Sequence, residues 1–288
     1  MPDALAALNR NRRRLLSASA LLAALLLPSR PGAGTQRGDA PPAPAAAREA
    51  APIDLAGYSV SVVTEDWRFR MVTPPKGDYA SVLPLNGAGR AAADGWDPAK
   101  VEAAGDACKS YGVGNIMRVP GRLHITWQDA NTLKIETDAG SQTRLLHFDE
   151  TAQAPAGDAG WQGYSVARWD LAGPQRRGGP PNPAAASTDA GPAADRGRGP
   201  APARGGSLKV VTTHMKAGYL RKNGVPYSEN ARVTEYFDRH NEANGDQWFT
   251  VTTIVDDAKY LNEPFITSSH FKREADGAKW RPTPCTAR

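Results

Sequence analysis

Glu235 is the residue of this chain best placed for acid–base work, because it stands in line with Val233 and Phe237 on one face of a strand-like run. A carboxylate turned into a fold needs an arginine or hydroxyl partner, and Arg68, Arg70 and Arg118 are available. It is then either half of a structural ion pair or a general acid or base. The histidines, His124, His147, His214, His240 and His270, include no His-x-His or His-x-x-x-His pair. Those spacings set two imidazoles on one side of a strand or helix, so no metal or cofactor is assigned. Only the fold could unite His124, His214 and His270. Gly224-Val-Pro-Tyr-Ser228, flanked by Arg221 and Lys222, reads as a turn set by Asn223-Gly224 and Pro226 and capped by Ser228. Its alternative is an exposed loop holding an anion through charge-assisted hydrogen bonds. Asp256 and Asp257 are adjacent in a strand-like run, point oppositely, and read as a solvated turn rather than a cation site. No Gly-x-Ser-x-Gly elbow occurs, so a serine hydrolase has no support.

The elements that would position these groups are mostly strands. Trp248, Thr250, Thr252 and Ile254 share one face of a run, and Phe265, Thr267, Ser269 and Phe271 share one face of the next. Tyr58, Val60 and Val62 alternate in the same way, as do Trp67, Phe69 and Met71 opposite Arg68 and Arg70. Leu123, Ile125 and Trp127 open a meander that returns through Leu133 and Ile135. Asp97-Pro98 caps one helix, along which Val101, Ala104, Cys108 and Tyr111 keep helical spacing to Gly112. An internal echo follows: a strand ending in Trp127 returns through Leu133-Lys134, and one ending in Trp169 returns through Leu208-Lys209. Tyr164 to Trp169 must then pair with Leu208 to Thr213 across residues 170–206, a Pro, Gly, Ala and Arg-rich stretch that reads as a disordered insertion in one hairpin. This pattern predicts a mostly β fold over residues 53–288, a single antiparallel barrel of about eight to ten strands with one short helix.

The amino terminus is different. Arg12-Arg13-Arg14 precedes an apolar run from Leu15 to Leu27 closed by Pro28, so residues 1–34 read as a signal peptide, with Arg12 to Leu16 resembling the twin-arginine export motif. The run is too short to span a membrane, and residues 35–52, rich in Ala and Pro, read as a disordered tether. The leader carries +4 of the chain's net charge of +5. What remains has no basic stripe for phosphates, so nucleic acid is a poor partner. In an oxidising, periplasmic or extracellular setting Cys108 and Cys285 are expected to bond and pin the carboxyl-terminal tail.

The segments Leu208-Lys-Val-Val-Thr-Thr213, Gly224-Val-Pro-Tyr-Ser228, Val233-Thr-Glu-Tyr-Phe237, Asp256-Asp257 and Pro264-Phe265 resemble a family of exported bacterial proteins without established function. The resemblance covers about residues 122–273 and implies no particular chemistry. More loosely, Gly57-Tyr58 at the head of a meander is similar to lipocalin-like barrels in architecture, although lipocalins carry Gly-x-Trp there. The functional expectation is a small apolar or amphipathic ligand inside the barrel, walled by Trp127, Trp248 and Phe237 and anchored by Glu235 with Arg68 or Arg70. The alternatives are an isomerase, hydratase or hydrolase using Glu235 and a histidine, and an envelope interaction module whose Arg176–Arg204 insertion meets acidic polymer.

Overall fold

A computed structural model of the protein describes residues 45–79, 83–149, 151, 154, 156, 157, 159–171 and 205–287. The expected leader, the first part of the tether and the centre of the hairpin insertion lie outside the described residues. Nine strands close into a barrel: β1 (Gly57–Val62), β2 (Arg122–Trp127), β3 (Thr132–Thr137), β4 (Thr143–His147), β5 (Tyr164–Leu171), β6 (Gly206–Thr213), β9 (Arg232–Asn241), β10 (Gln247–Asp256) and β11 (Phe265–Arg273). Between β6 and β9, β7 (Gly218–Arg221) and β8 (Val225–Tyr227) make a separate two-stranded ribbon. Around the ring the order is β1-β11-β10-β9-β6-β5-β4-β3-β2. Tyr164 pairs with Thr213 and Trp169 with Leu208, and the ladder runs on to Leu171 beside Gly206.

Every neighbouring pair is antiparallel except β4 with β5, whose parallel ladder is only Leu146 beside Ser165 and His147 beside Val166. Strands that alternate in direction around a ring close only in even number, so nine must include a parallel neighbour. A parallel step requires the chain to return from one end of the barrel to the other, as it does between His147 and Tyr164. The all-antiparallel, lipocalin-like expectation is therefore corrected to a mixed barrel.

Alternation turns one side of each strand inward. Ile125, Ile135, Leu146, Leu208, Phe237 and Val251 are 0% exposed. They pack with Leu133, Val210, Phe249 and Phe271 in one apolar cluster that occupies the barrel interior. Trp127, Phe148 and Trp169 close one end, with ring centroids 5.1–6.4 Å apart. The echo in the sequence is the origin of this plug, since Trp127 faces Leu133 and Trp169 faces Leu208 in matching hairpins. Over it lies the described part of the Ala/Pro stretch: Trp169 Nε1 donates to the Ala47 carbonyl (2.8 Å), and Ala47 N donates to Asn131 Oδ1 (2.9 Å). Residues from Ala45 to the barrel are thus a docked strap.

The opposite end is capped by irregular structure. Helices α1 (Trp67–Arg70), α2 (Gly87–Asp94) and α3 (Pro98–Ala103) and single 3-10 turns at Ala107–Tyr111 and Ile116–Arg118 precede β2. Ile116 and Met117 reach into the barrel core, while Leu220, Val225 and Tyr227 of the ribbon join Leu85, Ala93 and Phe265 in a second core. The helix expected from Asp97 to Gly112 is split. Asp97 caps it, its Oδ1 accepting from Ala99 N (3.0 Å), but Gly105 adopts φ 74° and breaks the spiral before Cys108. Trp67 to Arg70 form a helical turn instead of a strand, which leaves Trp67 and Met71 exposed and Arg70 buried. Among the described residues no helix is long and apolar enough to cross a membrane.

Cys108 and Cys285 are joined by a disulfide across 177 residues of chain, tying the tail to this cap. Loop-closure entropy sets its worth at about 3–5 kcal/mol. Replacing both cysteines by serine is expected to lower the free energy of unfolding by about that amount in a urea titration, with the m-value raised because the unfolded chain is no longer held compact by the cross-link.

Candidate functional site

Glu235 lies at the heart of the molecule. It sits in β9 opposite Val210 and Thr253, and both its carboxylate oxygens are engaged by Arg144 of β4, at 3.2 and 2.5 Å. Both side chains are 0% exposed. The fork of a guanidinium matches two carboxylate oxygens, which is why this pair survives in a dry interior. Neither Arg68 nor Arg70 serves as its partner. Arg68 is exposed and bonds Asp78 (2.8 Å), and Arg70 is buried at the capped end, where it binds Glu65 (2.8 Å) and the Arg118 carbonyl (2.9 Å). The sequence held the missing signal, because Arg144 keeps step with Leu146 in Thr143–His147 by the same alternation that marked Glu235.

The expected ligand walls are not brought together as a cavity. Phe237 packs wholly inside and Trp127 belongs to the plug. Trp248 points outward, 5.8 Å beneath the Lys272 ammonium, because Phe249, Val251 and Val255 of β10 take the inward face. Tyr58 also faces out, stacked on His124 (4.1 Å) and against Trp280 of the tail (5.9 Å), while Ser59 takes the inward place. The Gly224–Ser228 segment is buried. Its turn carries Gly224 at φ 85°, and Ser228 N and Oγ donate to the two oxygens of Asp257, at 2.6 and 2.8 Å. Asp257 is accordingly a buried cap and not the solvated turn expected, whereas Asp256 is exposed.

Among the described residues one cleft of about 620 Å³ lies beside Trp248, His240 and His270, and another, about 740 Å³, opens at the parallel seam between β4 and β5. The β4–β5 ladder is two residues long, so below it the wall is made by side chains. Trp161, with Lys216 over its ring (5.3 Å), and Tyr164, stacked on His147 (4.9 Å), give it aromatic faces. His214, at φ 51°, hydrogen-bonds the Gly157 carbonyl (3.2 Å) on its rim. Two of its lining residues, Arg144 and Gln162, each hold a buried polar atom without a partner in the protein, Nε of the first and Oε1 of the second.

A further cleft, of about 300 Å³, lies at the capped end, where Arg70, Arg118 and Arg221 gather. Asp66 accepts from both Arg118 Nη2 and Arg221 Nη2, the latter at 3.1 Å. Burial pushes the guanidiniums of Arg70 and Arg221 below their usual range; Glu65 and Asp66 respectively oppose this, and the charge of Arg118 adds to it. His270 is nearby, with Nδ1 on Thr250 Oγ1 (3.0 Å) and Nε2 3.3 Å from Glu65. Among the described residues no group of three histidine, cysteine or acidic side chains is arranged to hold a metal.

Comparison of the chain with family models, with curated proteins and with solved structures finds no match. What can be said of activity therefore rests on these geometries.

Removing one partner of a buried ion pair leaves an uncompensated charge, at a cost of about 3–5 kcal/mol. Glu235→Leu alone should show that loss in equilibrium unfolding. The double substitution Glu235→Leu with Arg144→Met should recover most of it, and a double variant as weak as the single one would mean that the pair does not act as a unit.

Proposed function

We propose that this is an exported barrel protein that binds a small amphipathic molecule in the groove at the β4–β5 seam. The observation that carries the reading is the pairing there of aromatic faces with two unsatisfied buried atoms, a donor on Arg144 and an acceptor on Gln162. A flat apolar body against Trp161 and Tyr164, ending in a group that both donates and accepts hydrogen bonds, answers that lining. The groove's size suits such a ligand, since small-molecule sites run from about 300 to 1,000 Å³. The disulfide supports the export part of the proposal, because such bonds persist in oxidising compartments. Siting the ligand at the seam follows from the filled axis.

The enzymatic alternative loses its base, since Glu235 is sealed behind Arg144 and reaches no solvent. The filled interior does favour a second reading, an envelope interaction module with the barrel as a rigid scaffold.

Native mass spectrometry of the mature protein from an envelope fraction, before and after organic extraction, separates the two. A stoichiometric adduct removed by extraction, and bound at least about tenfold more weakly when Trp161 is replaced by Ala, supports the groove. Bare protein mass across preparations, or an adduct indifferent to Trp161→Ala, shifts the assignment to the interaction module.

A further inference from the structure

The cleft at the capped end carries a distinct chemistry. It encloses about 300 Å³ and is lined by Arg70, Arg118, Asn115, Tyr111, Lys222 and Thr283 among others. Behind this lining lies the charge cluster already described. Arg70 is neutralised by Glu65, with Nε on the Arg118 carbonyl and Nη2 on Ser61 Oγ (3.2 Å). Arg118 and Arg221 both turn to the single carboxylate of Asp66. Asp66 is held there at φ 52°, a left-handed conformation that a non-glycine residue adopts at a cost. Asp78 is engaged by Arg68, and Asp138, beside the cleft residue Ala139, spends its Oδ1 on the Arg122 amide (2.6 Å). Arg118 is 3% exposed, donates Nη1 to Thr267 Oγ1 (2.9 Å), and has no partner for Nε. Lys222 adds its charge at the rim, 3.5 Å from Thr286 Oγ1 and over the Tyr111 ring at 5.1 Å.

Among the described residues three guanidiniums thus share the two carboxylates of Glu65 and Asp66, with Asp78, itself engaged by Arg68, acting on Arg221 as well. An excess of buried positive charge is costly, and an anion at this place would offset it. We propose that this cleft binds a small oxyanion, either free or as the head of a larger molecule, through Arg118 and Arg70 with Lys222 at the mouth. Guanidinium forks suit phosphate and carboxylate oxygens alike, and Tyr111, Asn115 and Thr283 offer neutral polar groups around them. The Arg221-Lys222 pair flagged in the sequence contributes by division: Arg221 faces inward to set Asp66, and Lys222 faces the cleft.

The test is calorimetric titration of the full mature protein with inorganic phosphate and, separately, with acetate, at ionic strength held constant with sodium chloride. Saturable binding of either supports the site, and the preferred anion identifies the head group as tetrahedral or planar. Lys222→Glu, at the rim and outside both cores, should weaken binding at least about tenfold, whereas Arg118→Lys, which keeps the charge but loses the fork, should weaken it even if the cap loosens. Trp161→Ala in the seam groove should leave it unchanged, which separates this site from the one proposed above. No saturable heat with either anion, or binding indifferent to Lys222→Glu, overturns the proposal.

Discussion

Arg144 and Glu235 can occupy a water-free interior only as a pair, and much of the barrel is arranged around letting them meet. Arg144 belongs to β4, whose ladder to β5 is two residues long. Glu235 belongs to β9, held on both sides by full antiparallel ladders to β6 and β10. The ion pair crosses the axis from the weakest part of the wall to one of the strongest. Where hydrogen bonds between backbones run short, a charge-assisted bond between side chains holds the strand. The shortage also opens the seam groove, so scaffold and candidate site share one origin in the odd number of strands.

The two ends of the barrel solve the same problem with different materials. At the end reached by Trp127 and Trp169 the plug is aromatic and the strap over it contributes mainly backbone groups. At the other end the plug is apolar inside, through Ile116 and Met117, and strongly charged outside, through Arg70, Arg118 and Arg221. Burial of this kind limits chemistry to places where a polar atom is left without a partner. Four of those atoms, on Arg144, Gln162, Arg118 and Arg221, fall at the seam groove and the arginine cluster, where the two binding proposals stand; others, on Trp96, Asn223, Tyr227, Trp248 and Ser269, lie elsewhere in the fold.

Much of the fold was legible because alternation is a property of the backbone. The face shared by Val233, Glu235 and Phe237, the pairing of Tyr164–Trp169 with Leu208–Thr213, and the barrel-like class all follow from period two. Period two does not say which face is inside. Trp248, expected as a ligand wall, lies outward, although the more apolar set Phe249, Val251 and Val255 marked the true inner face of β10; Tyr58 also lies outward, against Trp280 of the tail. The parallel seam left no local trace, since nothing in Thr143–His147 reveals its neighbour's direction. Arg144 was legible in retrospect by its step with Leu146. Asp66 was not, because its role depends on two arginines from distant segments, Arg118 and Arg221, and α2 has only the small residues Gly89 and Ala93 to mark its buried face.

The barrel is sealed by β1 lying beside β11, with Ser59 opposite Arg273 and Val62 opposite His270. More than two hundred residues separate these partners, so the ring stays an open sheet until translation has passed Arg273. Pairings this remote make for slow folding, because the chain must be drawn together before any of their contacts form. The cross-link from Cys108 to Cys285 imposes the same delay on the cap. Through most of its synthesis this polypeptide therefore presents two unpaired strand edges, and its handling by whatever escorts it in the cell must extend past the emergence of β11.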